Sequence, residues 1–385
     1  MDLAADLDGF APFMWSSSAV EAALLKLGGG SFADFKVAAA SGDYPLARDL
    51  LTVVPAAAAV MAVSKFVLER AILRPVVRAG LRMKLQPVPF QEPKLEAIYE
   101  KHKPLLPDMN EIKSVSKAID KPVEDLNAWF RARQRLDRDA VKVRVSSDCL
   151  WRLIMYSVFL LANFYISRGQ VWSRDLARTW EDLPLQRNEE SLKWFYVALE
   201  IPLYVVLLIS QVVDGRQARD MWEMTLHHST VLMLLAIIYL GNFVRIGMVG
   251  LILHDVTDIF LEASKLASSF RWKGIADTLF VGFAGSWAYA RLYRVATGLV
   301  PTLLNDGRPV IGETLYMVVL GLLAVIVCLN LFWFTKISAL LYRILWGGSP
   351  AERATRDFTD FSTDDDVDSD SSYFSDVDGS SVSKR

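Results

Sequence analysis

The stretch HHSTVLMLLAIIYLGNFVRIGMVGLILHDVTDIFLEASK, running from His227 to Lys265, decides the fold of this chain. It holds three of the chain's four histidines together with Asn242, Arg245, Asp255, Asp258 and Glu262, in a background apolar enough for a bilayer. A single Asp or Arg at the centre of a membrane helix costs about 2.5–3.5 kcal/mol on insertion scales, so a cluster of such groups reads as a functional site by default. Those side chains must face the inside of a bundle and not lipid.

The rest of the chain supports that class. With 52% hydrophobic residues and 11 Trp, it carries several windows of about 20 apolar residues, each long enough to cross a membrane. The expected fold is an all-α polytopic membrane protein with about seven spans, at 50–68, 150–166, 192–212, 225–240, 243–261, 275–299 and 315–345. Arg70, Arg74, Arg78, Arg82 and Lys84 follow the first span and place its exit in the cytosol by the positive-inside rule, which makes segment 1–49 lumenal. An odd number of spans then leaves the C-terminus cytosolic. The start, MDLAADLDGF, lacks a basic n-region, so the first membrane helix (50–70) is expected to act as the targeting address. Cys149 and Cys328 are the only cysteines, which excludes a disulfide framework or a Cys-rich zinc module.

A net charge of -2 conceals a basic block from Arg131 to Arg144 and an acidic tail from Asp357 to Asp378. Residues 93–145 read as a small helical module, with helical spacing in PKLEAIYEKHKPLL, MNEIKSVSKAI and KPVEDLNAWFRARQRLDR. The last of these resembles a homeodomain recognition helix. Such a helix reads adenine with an Asn two residues past the Phe of its Trp-Phe pair, and Ala132 stands there in this chain, so DNA is not an expected partner. Residues 347–385 are Ser/Asp-rich and read as a disordered cytosolic tail, in which Ser362, Thr363 and Ser375 each precede an Asp by three positions, the pattern an acidophilic kinase takes.

Helical geometry sorts the intramembrane residues. His227 shares a face with Glu223 and Thr230, whereas His228 points with apolar neighbours; on the following helix His254 and Asp258 stand at i,i+4, with Glu262 one turn on and Asp255 beside them. Three chemistries use such residues. Three His and a carboxylate suffice for zinc, as in a seven-helix metal-dependent hydrolase. Acyl transfer uses an imidazole as base or nucleophile, with a carboxylate fixing its tautomer. Di-iron oxygen chemistry needs more histidines than the chain has. Helix-to-helix hydrogen bonding without catalysis is the plainest reading, and six or more convergent ionisable residues exceed what it needs. A non-catalytic lipid-sensing protein is the remaining alternative.

The double His, the NFVRIG turn and HDVTDIFLEASK resemble the Lag1 signature of ceramide synthases, within the wider TLC-domain family. The resemblance extends from about residue 50 to 346 and includes FVLER, WFRARQRLDR where animal-type members carry a homeobox-like stretch, WEDLP, KWFYVALEIPLYVVLLISQ and DGRQARDMWEMTLHH. It implies a TLC catalytic domain over 146–346 folded as a helical barrel in the endoplasmic reticulum membrane, N-acylating a sphingoid base with fatty acyl-CoA to give dihydroceramide or ceramide. It implies no metal or redox cofactor. The implied catalytic set is His227, His228, His254, Asp255 and Asp258. Asn242, Arg245 and Glu262 are expected to contact substrate, and Arg216, Arg219, Arg271 and Lys273 to meet the phosphates of CoA. Acyl-chain choice is expected to depend on the loop at about 301–314. The partners implied are acyl-CoA, the sphingoid base, membrane lipid and a second family member as a homo- or heterodimer.

Overall fold

The structure, a computed structural model, describes residues 47–83, 88–103, 106–183, 186–214 and 220–346. All but the last three residues of segment 1–49, the loop arginines Arg216 and Arg219, and the tail with Ser362, Thr363 and Ser375 lie outside the described residues. Within them every extended element is helical.

Helix α1 (Ala47–Leu68) continues through a wide π turn at Glu69–Leu73 into Arg74–Gly80. Two short helices follow, each started by its own side-chain cap. The Glu92 carboxylate accepts from the Lys94 N–H ahead of α2 (Pro93–His102), and Asp108 accepts from the Glu111 N–H at 2.7 Å ahead of α3 (Met109–Ile119). Asp120, in the left-handed conformation at φ 54°, stops α3. Helices α2 and α3 close over the start of α4 (Val123–Ser167), burying Leu95, Tyr99, Ile112, Leu126, Trp129 and Phe130 in a core of their own. The Trp129 Nε1–H donates to the Phe90 carbonyl at 2.8 Å. Arg133 is engaged by Glu96 and Asp137, so this arginine of the basic block is held by neighbouring acids.

The boundary expected at 145/146 falls inside α4. Its 45 residues contain neither Gly nor Pro, so nothing in the sequence ends the helix where module and membrane domain were expected to part. The remaining helices are α5 (Glu190–Phe195, continued through the π turn Tyr196–Glu200 into Ile201–Asp214), α6 (Met221–Leu240), α7 (Val244–Ser269), α8 (Lys273–Ser286, continued through Trp287–Leu299 in wide π turns), and α9 (Glu313–Trp346).

By length and composition, α1, α4, α5, α6 and α9 can cross a membrane. Of the seven spans expected from sequence, five meet that standard among the described residues. The other two are present as helices: α7 carries Asp255, Asp258 and Glu262 within its apolar length, and the regular part of α8 has only 14 residues before its turns widen.

The seven long helices form a closed ring. Around it, α1 packs on α5, α5 on α6, α6 on α9, α9 on α8, α8 on α7, α7 on α4, and α4 returns to α1. Helices α6 and α7 are consecutive in sequence yet are not ring neighbours. They approach each other beside the Gly241-Asn242 turn, with Asn242 at φ 63°, and face one another across the interior. The ionisable residues of α7 thus point into a protein-lined space, which is the only place the bilayer tolerates them.

Gly247 allows the approach at this turn. A Cβ there would lie 2.7 Å from the Tyr196 hydroxyl and 2.8 Å from Ile238 Cγ2, so α5, α6 and α7 meet on a surface that admits hydrogen only. Gly247→Ala is expected to destabilise the ring by about 1–3 kcal/mol through overpacking. Thermal unfolding of the detergent-solubilised protein, followed by tryptophan fluorescence, should show the lower Tm, while Gly250→Ala, where a Cβ meets nothing within 4 Å, should not.

Candidate functional site

The three intramembrane histidines meet. The ring centroids of His227 and His228 are 5.6 Å apart, and His254 reaches across from α7 to within 6.4 Å of His227. His227 also stands edge-on to Trp333 of α9 at 5.2 Å, and His228 edge-on to Tyr204 of α5 at 6.5 Å. Four helices therefore supply the cluster and its walls.

Two cavities flank this cluster, one on each side. The larger, about 240 Å³, is polar: His227, His228 and Asp258 line it with Lys65, Asp148, Arg152, Asp220, Glu262, Lys265 and Arg291. The smaller, about 100 Å³, is apolar and has His254 in its wall, among Leu235, Leu251, Val295 and Ile326. His254 is thus exposed to the apolar side and His227 to the polar side. Although the helical wheel sends His228 among apolar neighbours, it lines the polar cavity as His227 does.

The orientation of His254 differs from the expectation. Among the described residues no carboxylate holds it; its Nδ1 lies 2.9 Å from the Gly250 carbonyl one turn back. A carbonyl oxygen only accepts, so Nδ1 carries the proton and Nε2 presents a lone pair. That Nε2 is buried and has no hydrogen-bond partner among the described residues.

Asp258 has a different role, because Arg291 takes its Oδ1. The same guanidinium donates to Thr257 Oγ1 at 2.7 Å and to the His254 carbonyl at 3.1 Å, and it lies 4.2 Å over the Trp287 ring. Arg291 is 3% exposed and projects from the π turns of α8, whose altered register aims it at α7. One side chain thereby fixes the His254–Asp258 turn at three points. Sequence reasoning passed over Arg291, although an arginine midway along the span expected at 275–299 carries the same signal as the aspartates on α7.

Asp255 lies apart from this clamp. It is buried, as is Glu200 at the end of the π turn in α5, and neither has a hydrogen-bond partner on either carboxylate oxygen among the described residues. Glu262 is held by Arg152 at 3.0 Å and Lys265 at 3.6 Å, and Asp148 by Lys65 at 2.6 Å and by Arg152. These pairs line the polar cavity.

Among the described residues, Asn242, Arg245, Arg271 and Lys273 are not brought to the histidines. Asn242 donates to the Gln186 carbonyl at 2.8 Å and accepts from Asn188, and Arg245 bonds Asn188 and the Arg187 carbonyl, so both tie the α6–α7 turn to the 186–188 segment. Arg271, at φ 60°, forms the turn into α8, and Lys273 opens that helix; neither lines either cavity.

Removing one partner of a buried ion pair costs about 3–5 kcal/mol because the other charge is stranded. Arg291→Met should therefore lower the Tm strongly. The double variant Arg291→Met with Asp258→Leu should lose less than the two single variants added together, a non-additivity that a double-mutant cycle measures directly.

Comparison with known proteins agrees with this architecture. Residues 146–339 match the TLC domain family (TRAM_LAG1_CLN8). The chain is 28% identical to human ceramide synthase 5 over 341 residues, covering 88% of this chain and 85% of that protein. It is 28% identical to mouse ceramide synthase 4 over 326 residues, with 82% and 80% covered. Against the ceramide synthase hyl-1 of Caenorhabditis elegans it is 27% identical over 214 residues, covering 52% and 58%. The matched domain takes in α5 to α8, the membrane part of α4 and most of α9, and thus the three histidines and the arginine that clamps the His254–Asp258 turn; the chain belongs to the TLC-domain family and resembles its ceramide synthases.

Proposed function

We propose that the chain is a ceramide synthase, transferring a fatty acyl group from acyl-CoA to the amine of a sphingoid base, sphinganine or sphingosine. The observation that carries this reading is the position of the imidazole cluster between a cavity lined by ionisable residues, which His227 and His228 face, and an apolar one, which His254 faces. An acyl-CoA is itself divided in this way, with a charged head, a reactive thioester and an apolar chain. The names borne by the similar proteins agree with it.

In the proposed route the His227 imidazole attacks the thioester carbon, the C–S bond breaks, and CoA leaves as its thiolate. The sphingoid amine then attacks the acyl-imidazole; the amide C–N bond forms and the acyl–imidazole bond breaks. The proton released by the amine passes to the lone pair of His254 Nε2, or to His228. The bond from His254 Nδ1 to Gly250 supports His254 in that role, since it sets the tautomer before any substrate arrives. A single displacement with His227 as general base is the alternative route. Arg291 and Asp258 hold the His254 turn, and Lys65, Arg152 and Lys265 are the cations on the polar wall through which the CoA head would enter.

The hydrolase alternative asks three His and an Asp to converge on one ion. No group of three His, Cys, Asp or Glu side chains among the described residues has that geometry, and Asp258 is already bound by Arg291.

Around this reaction we place the chain in the endoplasmic reticulum membrane, N-terminus lumenal and C-terminus cytosolic, with acyl-CoA as co-substrate and no other cofactor. Pairing with a second family member and phosphorylation of the acidic tail belong to the same reading.

Microsomes expressing the chain, given a sphingoid base and acyl-CoAs from C14 to C26, should form ceramide. His227→Ala should reduce it by at least about a hundredfold, the scale of a lost base or nucleophile. Equal product from both proteins would refute the site. With the sphingoid base withheld, an acylated enzyme that accumulates on the wild type and is absent from His227→Ala supports the two-step route over the single displacement.

A further inference from the structure

The apolar cavity ends on a side chain that the histidine motif does not predict. Trp180 belongs to the 3-10 turn Leu176–Trp180 in the segment between α4 and α5, outside the ring helices, yet it is 4% exposed and lines the cavity beside Phe243, Leu299 and Leu303. Its ring lies 5.8 Å from that of Phe243. Measured along α7, Phe243 is eleven residues from His254, or about 16 Å. Trp180 therefore closes the end of the cavity remote from the imidazoles.

The indole is fixed there. Its Nε1–H donates to Thr302 Oγ1 at 3.0 Å, and the Thr302 hydroxyl in turn donates to Asp306 Oδ2 at 2.8 Å. Gly307 lies beneath the ring, where a Cβ would stand 3.0 Å from the Trp180 six-membered ring. The segment 300–307 is helical and acts as a bracket behind the tryptophan; Leu303 is its contribution to the cavity wall.

We infer that Trp180 is the stop against which the methyl end of the acyl chain rests, and that Thr302 and Gly307 set its position. This rests on the acyl-transfer reading. Residues 301–314, expected to govern chain choice, then act largely through a side chain supplied by a different loop.

The inference gives shifts of opposite sign. Trp180→Ala lengthens the cavity and should raise the ratio of kcat/KM for the acyl-CoA one step longer than the wild-type optimum to that for the optimum by roughly tenfold, the discrimination expected of an apolar pocket per chain increment. Thr302→Val, which keeps the volume and removes the acceptor, should shift the profile the same way by less. Gly307→Ala pushes the ring into the cavity and should shift it toward shorter chains. The experiment measures ceramide products from an equimolar mixture of acyl-CoAs from C14 to C26, for wild type and the three variants at matched expression.

A length profile unchanged in Trp180→Ala, with total product retained, overturns the inference and leaves acyl transfer intact. If Trp180→Ala does not accumulate, Trp180→Phe takes its place, and an unchanged profile there, or Gly307→Ala shifting toward longer chains, overturns it equally. Absence of product from the wild type refutes the acyl-transfer reading instead.

Discussion

The clamp that Arg291 places on α7 is the interaction around which the membrane domain is organised. A guanidinium and a carboxylate in hydrocarbon are tolerable only when each satisfies the other and remaining donors find acceptors. Arg291 does this with Asp258, Thr257 and the His254 carbonyl, and stacks on Trp287. The requirement propagates outward. The π turns of α8 are what bring the arginine to α7, and the closed ring of seven helices is what keeps lipid from the pair.

Within that ring, polarity is graded along the axis. On the side of the module, charges occur in mutually neutralising sets, Lys65 with Asp148 and Arg152 with Glu262, beside enough open volume for solvent. On the opposite side the cavity wall is almost wholly hydrocarbon and aromatic. The imidazoles stand between the two, His227 and His228 on the polar wall and His254 on the apolar one. Glu200 and Asp255, buried and lacking hydrogen-bond partners among the described residues, are the two carboxyl groups this gradient does not account for.

Much of this was legible in the sequence. Helical spacing placed His254, Asp258 and Glu262 on one face, and the double His faced them across the turn, because intramembrane ionisable residues have so few permitted directions. Long apolar windows located α1, α4, α5, α6 and α9. What the sequence hid follows from tertiary geometry. The wide turns of α8 have no signature comparable to a heptad or an alternation, so the aim of Arg291 was not readable. Asn242 and Arg245 looked like ligand contacts because they are polar in an apolar stretch, and they satisfy the backbone of residues 186–187 instead. His254 was assigned a carboxylate partner by i,i+4 spacing, yet a backbone carbonyl at the same helical distance takes its Nδ1.

The unbroken course of α4 has a mechanical consequence. Its 45 residues span about 68 Å, with one end cemented into the helical module through Leu126, Trp129 and Phe130 and the other passing Arg152 and Asn163 through the ring. A rod with no glycine or proline has no hinge at which to absorb a load. Torque applied to the module is therefore delivered to the membrane interior, where a twist of α4 by one residue, about 100°, would swing Arg152 off Glu262. The module and the polar cavity share a driveshaft.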